Sequence, residues 1–116
     1  MSQMFPVAVT GDFENAPLRK VNTTDRSILI ARVDNGYFSV DAVCSHLRGD
    51  LYKGKLEGSV INCPRHGARF DMTNGHFLGW PEHSGRLMSV LQSLRAPKNL
   101  NTYPVKAADG KIHIKI

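Results

Sequence analysis

Two short pairs of potential metal ligands constrain this chain more than any other feature. Cys44 and His46 form the first pair, and Cys63 and His66 form the second, with residues 47–62 between them. The chain has only 2 cysteines, and each has a histidine close by. A single disulfide therefore explains the pattern less well than a metal centre shared by two loops. The spacing predicts that these loops meet at one four-ligand site.

The chemistry of the four side chains leaves two kinds of centre open. Thiolate and imidazole ligands suit both zinc and iron–sulfur clusters. Structural zinc sites usually separate paired ligands by about two to four residues, and the step from Cys44 to His46 is tighter than that. A two-iron cluster with two cysteines on one iron and two histidines on the other matches the ligand count. The cluster is the better fit, and a zinc-bound interaction module is the alternative.

The residues around both pairs resemble a known family. Cys44-Ser45-His46-Leu47 and Cys63-Pro64-Arg65-His66-Gly67 resemble the paired Cys-x-His and Cys-x-x-His-Gly boxes of Rieske proteins. Phe70-Asp71 followed by Asn74-Gly75 is similar to the turn after the second box in Rieske ferredoxins. The resemblance implies an antiparallel β-sandwich with a smaller three-stranded cluster-binding subdomain. It also implies that one [2Fe–2S] cluster is held by Cys44, His46, Cys63 and His66.

Departures from the respiratory branch of this family are also informative. That branch has a disulfide between the two loops, where Gly49 and Arg65 stand here, so no such bond can form. It also has serine and tyrosine hydroxyls near the cluster, where Ala68 and Phe70 stand here. Losing hydroxyl donors to sulfur lowers the reduction potential, and we expect a value on the order of −150 mV. The chain thus resembles ferredoxins that feed oxygenases.

Turn signals favour an all-β fold. Asn-Gly and Asp-Gly steps predict three tight hairpins, at residues 34–36, 74–75 and 109–110. The expected strands around them are residues 27–33 and 37–40, 68–71 and 76–78, and 103–106 and 111–116. The last strand alternates polar and apolar residues, so its isoleucines should share a buried face and His113 should point to solvent.

One segment breaks the β pattern. Leu87, Val90, Leu91 and Leu94 have helical spacing within residues 86–95, and Pro97 follows. We expect one short helical insertion, at about residues 84–97, that covers the sheet. Before it, Gly79-Trp80-Pro81 resembles the proline loop that covers the cluster in Rieske proteins.

Length and charge limit the remaining possibilities. At 116 residues, we expect a single domain, residues 1–116, with the cluster-binding subdomain at about residues 42–80. The start shows no signal peptide and no apolar run approaches a membrane span, so we expect a soluble, cytoplasmic protein without a membrane partner. The net charge of +5 comes from scattered residues, which argues against nucleic acid. It suits an acidic redox partner docking beside Arg48, Lys53, Lys55, Arg65 and Arg69.

The sequence therefore predicts an electron carrier rather than an enzyme. The alternative is the small subunit of a multi-component reductase resembling assimilatory nitrite reductase. An intrinsic oxygenase would need a further iron site of two histidines and one carboxylate. Only His76, His83 and His113 remain for such a site, and their spacing matches no such motif.

Overall fold

The computed structural model of the chain describes residues 4–23, 26–44, 49–64, 67–79 and 98–115. These residues form short antiparallel strands and two 3₁₀ turns, Thr10–Phe13 and Leu51–Lys53. The strands are β1 (Met4–Val9), β2 (Leu18–Asn22), β3 (Ser27–Val33), β4 (Gly36–Asp41), β5 (Lys55–Glu57), β6 (Val60–Asn62), β7 (Arg69–Asp71), β8 (Phe77–Gly79), β9 (Thr102–Tyr103), β10 (Val105–Ala108) and β11 (Lys111–Lys115). The predicted all-β class is confirmed.

The strands form three sheets. The distal sheet has the order β1-β11-β10, the central sheet β2-β3-β4-β9, and the loop-bearing sheet β5-β6-β7-β8. The central sheet is buried on both faces, because all four residues of the apolar run from Ile28 to Ala31 are 0% exposed. Ile28 and Ile30 pack with Ile112 and Ile114 of the distal sheet. Leu29 and Ala31 belong to a second hydrophobic cluster, which includes residues of the loop-bearing sheet.

The structure refines the hairpins predicted from sequence. Asp109 (φ 54°) and Gly110 (φ 75°) form the turn between β10 and β11 as expected. The β3–β4 hairpin also forms, but Val33 pairs with Gly36, so its turn is Asp34-Asn35 and the positive φ of 54° falls on Asp34. A further hairpin between β5 and β6 turns at Gly58-Ser59. The sequence analysis missed this turn.

Two other strand predictions were wrong in detail. Residues 103–106 do not form one strand, because Pro104 lacks an N–H and divides β9 of the central sheet from β10 of the distal sheet. The loop-bearing sheet has four strands instead of three, because β8 pairs with β7.

On β11, the prediction for Ile112 and Ile114 is confirmed, since both are fully buried, whereas His113 is half-buried rather than exposed. Ile116 and the expected helical insertion lie outside the described residues.

Candidate metal centre

The first loop leaves the central sheet at the end of β4 and is closed by main-chain hydrogen bonds. The Cys44 N–H donates to the Gly49 carbonyl oxygen at 2.7 Å, and the Leu51 N–H donates to that of Ala42 at 2.9 Å. Between these bonds, Val43 and Asp50 form an antiparallel bridge. A short ladder therefore fixes the base of the loop immediately before and after residues 45–48.

The second loop joins β6 to β7 in the loop-bearing sheet and is closed in the same way. The Cys63 N–H donates to the Ala68 carbonyl oxygen at 2.8 Å. Gly67 also donates to the Cys63 carbonyl oxygen at 3.0 Å, and its φ of 78° is one that glycine adopts readily. In both loops, a cysteine N–H is thus bound to the carbonyl five residues further along the chain, although the two loops differ in sequence.

The two cysteines lie in the same environment. Cys44 is 1% exposed and Cys63 is 3% exposed, and both belong to one hydrophobic cluster between the central and loop-bearing sheets. Both are thiols rather than halves of a disulfide, which rules out the disulfide alternative for this structure. His46 and His66 lie outside the described residues. Within the described part, no group of three or more His, Cys, Asp or Glu side chains could hold a metal ion.

This environment fits the proposed donor set. Burying an isolated thiolate charge costs free energy, whereas a metal ion compensates that charge. Two cysteines buried at the bases of matching loops are therefore suitable as soft thiolate ligands to iron. The surroundings offer little polarity, because Ala68 and Phe70 are both 0% exposed and neither carries a hydroxyl. The Phe70 ring packs against Phe77, with 5.7 Å between ring centroids. Neither the Ala68 nor the Phe70 side chain can therefore donate a hydrogen bond.

An ion pair that the sequence analysis missed supports the first loop. The Lys20 Nζ lies 3.1 Å from the Asp50 Oδ2, and the other carboxylate oxygen of Asp50 accepts the N–H of Tyr52 at 3.1 Å. The two charged residues are far apart in sequence, and neither belongs to a motif. The one sequence signal is the alternation of side chains along β2, which puts Lys20 on the same strand face as the buried Leu18.

A row of polar side chains lies beside the second loop. Strand register places Lys55, Asn62 and Arg69 side by side across β5, β6 and β7. Asn62, the middle residue of this row, immediately precedes Cys63. Lys55 and Arg69 are exposed, as is Lys53 in the preceding 3₁₀ turn. This basic row, defined here as Lys55 and Arg69, contains two of the five cations expected near the site. Arg48 and Arg65 lie outside the described residues.

Other sequence candidates lie elsewhere or are not described. His76 is exposed and follows the Asn74-Gly75 turn, as expected. His113 is on β11 of the distal sheet, which carries neither loop. His83 and Trp80 are outside the described residues. No helix in the described part of the chain is long and apolar enough to cross a membrane.

Comparison with known proteins defines the class. A family model described as the Rieske [2Fe-2S] domain matches residues 3–104, so the chain belongs to the Rieske [2Fe–2S] family. The chain is 32% identical to sulredoxin from Sulfurisphaera tokodaii, covering 89% of each protein. It is 27% identical to the ferredoxin component of the naphthalene 1,2-dioxygenase/salicylate 5-hydroxylase systems of a Ralstonia species, covering 94% of this chain and 91% of that protein.

Solved structures agree on the fold. The Sphingomonas yanoikuyae B1 ferredoxin matches with a TM-score of 0.77 at 23% identity, covering 98% of this chain and 99% of that one. A chain from the complex of reduced oxygenase and oxidised ferredoxin in carbazole 1,9a-dioxygenase matches with a TM-score of 0.76 at 22% identity. The family match and the relatives named as ferredoxins, rather than these structures, identify a Rieske-type ferredoxin, an electron carrier with a [2Fe–2S] cluster rather than an enzyme.

Proposed function

We propose that Cys44, His46, Cys63 and His66 ligate the [2Fe–2S] cluster, and that the chain delivers single electrons to the terminal oxygenase of a multi-component system. The observation that carries the ligand assignment is the matching closure of the two loops, each beginning at a buried cysteine. Support for the oxygenase comes from relatives named as ferredoxin components of dioxygenase systems. When bound, the cluster accepts one electron from a donor and releases it to an acceptor.

The protein residues control access to the site and its polarity. Burial of Cys44 and Cys63 excludes water from the thiolates, and the closed loop bases hold them in place. Ala68 and Phe70 provide no hydroxyl that could stabilise the negative charge added on reduction. The carrier therefore has a low potential, on the order of −150 mV, which suits the delivery of electrons to an oxygenase.

The basic row is the proposed docking feature. Lys55 and Arg69 are exposed next to the strand that leads into Cys63. Positive charge at this edge attracts a partner with an acidic face and speeds encounter at low ionic strength. We place this docking surface on one domain, residues 1–116, whose cluster-binding subdomain spans about residues 42–80, in a protein that acts in the cytoplasm.

The test is spectroscopy on protein purified without added metal. We expect a red-brown protein with equal iron and acid-labile sulfide, and a reduced-state EPR signal whose average g value lies below that of all-cysteine clusters. His46→Ala and Cys63→Ala should each abolish this signal, whereas His76→Ala, at an exposed histidine, should leave it unchanged. A colourless protein that contains zinc and no iron would overturn the proposal in favour of a zinc-bound interaction module.

A further inference from the structure

The Lys20–Asp50 ion pair joins the central sheet to the first loop. Lys20 lies on β2, where strand register aligns it with Leu29 on β3 and Val40 on β4. Leu29 and Val40 face the hydrophobic cluster that contains both cysteines. The Lys20 side chain therefore leaves the sheet on the side of the cluster-binding loops, and it reaches the Asp50 carboxylate at 3.1 Å.

Asp50 makes three contacts, two at the base of the first loop and one with the central sheet. It pairs with Val43, the residue before Cys44. One carboxylate oxygen accepts the Tyr52 N–H and so caps the 3₁₀ turn that follows the loop. The other carboxylate oxygen meets Lys20. Both charged side chains are partly buried, with 29% of Lys20 and 30% of Asp50 exposed. This partial burial reduces the screening of their charges by water.

These contacts place a compensated negative charge at the base of the loop that begins at Cys44, one of the proposed ligands. Adding an electron to the site increases its negative charge, so an uncompensated carboxylate at the loop base would disfavour reduction. The ammonium of Lys20 offsets that effect. It also holds Asp50, and through the Val43–Asp50 bridge it holds the main chain of the first loop.

We propose that Lys20 is a positioning and charge-balancing residue of this site, and that its ion pair with Asp50 helps to set the reduction potential. This inference rests on the proposed function, because it requires the cluster to lie between the two loops. It assigns a role in electron transfer to a residue of the central sheet that lies outside both ligand motifs.

The test compares midpoint potentials in a spectroelectrochemical titration of iron-loaded protein at low and high ionic strength. Lys20→Met leaves the Asp50 charge uncompensated and should lower the potential. Asp50→Asn retains an oxygen acceptor for the Tyr52 N–H but frees the Lys20 charge, so it should raise the potential. The double variant should lie between the two single variants, and all shifts should shrink at high salt. Lys20→Arg, which keeps the charge, should restore the wild-type value.

The control is Lys111→Met, which removes one positive charge from the exposed end of β11 in the distal sheet. It should leave the potential unchanged. Shifts of the same sign in Lys20→Met and Asp50→Asn, or no shift in either iron-loaded variant, would overturn the inference. If Lys20→Met fails to fold, the potentials of Asp50→Asn and Lys20→Arg still decide the question. Failure of the proposed function is distinguishable, because the wild-type protein itself would then contain no iron.

Discussion

The α-carbon of Gly54 lies so close to the carbonyl oxygen of Asn62 that a Cβ on Gly54 would come within 1.9 Å of it. Gly54 follows the 3₁₀ turn after the first loop, and Asn62 immediately precedes Cys63 of the second loop. The chain leaving one loop therefore packs main chain against main chain with the strand that enters the other. This close approach couples the positions of the two loop bases.

Replacing Gly54 with alanine should disturb both loops together. The methyl group cannot fit against a main-chain carbonyl, so the two segments must separate, at a cost of about 1–3 kcal/mol in the free energy of unfolding. Gly11→Ala is the matched control, because a Cβ there meets nothing within 4 Å. Chemical denaturation and iron content measure both effects. Equal stability and iron content in the two variants would contradict the coupling.

Tyr103 should make the stability of the central sheet sensitive to alkaline pH. Its hydroxyl donates to the Asp41 Oδ1 at 2.5 Å and accepts from the Arg26 Nη1 at 3.0 Å. Burial, and next the hydrogen bond to Asp41, raise the pKa of Tyr103 above its ordinary value of 10.0. Because the folded-state pKa is the higher one, the stabilising contribution is fully present below about pH 10 and is lost as pH rises through the folded-state pKa.

Tyr103→Phe should therefore lower the free energy of unfolding at neutral pH by about 1–2 kcal/mol, through loss of the two hydrogen bonds. It should also flatten the decline in stability above pH 10.0, the ordinary pKa of the group. Urea unfolding at neutral and alkaline pH measures both effects. Tyr52→Phe, at a side chain that is 41% exposed, is the control. A decline of equal steepness in wild type and Tyr103→Phe would show that Tyr103 does not cause the pH dependence.

Local patterns predicted much of this fold, and long-range contacts account for what was missed at Lys20, Asp50 and Pro104. The Asp109-Gly110 turn and the alternation of Ile112 and Ile114 are encoded in neighbouring residues, so both were visible in the sequence. The Lys20–Asp50 pair depends on how β2 packs beside the first loop, and no local pattern encodes that arrangement. The sequence analysis predicted one strand through Pro104, because the change of sheet at this residue is a tertiary feature.

The candidate site shows the same division. Residue type and spacing made Cys44 and Cys63 candidate ligands, and the structure places both in one hydrophobic cluster. The matching closure of their loops depends on main-chain bonds to Gly49 and Ala68, whose side chains give no signal of it. The basic row likewise depends on strand register. Lys55 on β5 and Arg69 on β7 both pair with Asn62 on β6, which lies between them.

Reversing the charge of the basic row should change electron transfer according to the charge of the partner. We expect Lys55→Glu/Arg69→Glu to slow oxidation of the reduced protein by anionic hexacyanoferrate and to speed oxidation by cationic hexaammineruthenium. The cause is the altered electrostatic attraction during encounter, so both differences should fade at high ionic strength. Stopped-flow kinetics at several salt concentrations give the second-order rate constants.

The control for this experiment reverses two charges in the distal sheet, Lys111→Glu/Lys115→Glu. Both residues are exposed on β11, so the net charge changes equally without altering the basic row. We expect smaller rate changes than for the basic-row variant. Equal effects from the two double variants would mean that net charge, rather than the local row, governs encounter.

Ala68→Ser should raise the reduction potential. Ala68 is fully buried in the hydrophobic cluster that contains both cysteines, and its carbonyl oxygen accepts the Cys63 N–H that closes the second loop. A serine hydroxyl there would need an acceptor, and sulfur at the site would become a better one when reduction adds negative charge. A net stabilisation of about 1 kcal/mol for the reduced form corresponds to a rise of about 40 mV for one electron. Ala107→Ser, at an exposed residue of β10, is the control. A potential that stays at the wild-type value in iron-loaded Ala68→Ser would show that position 68 does not face the sulfur atoms.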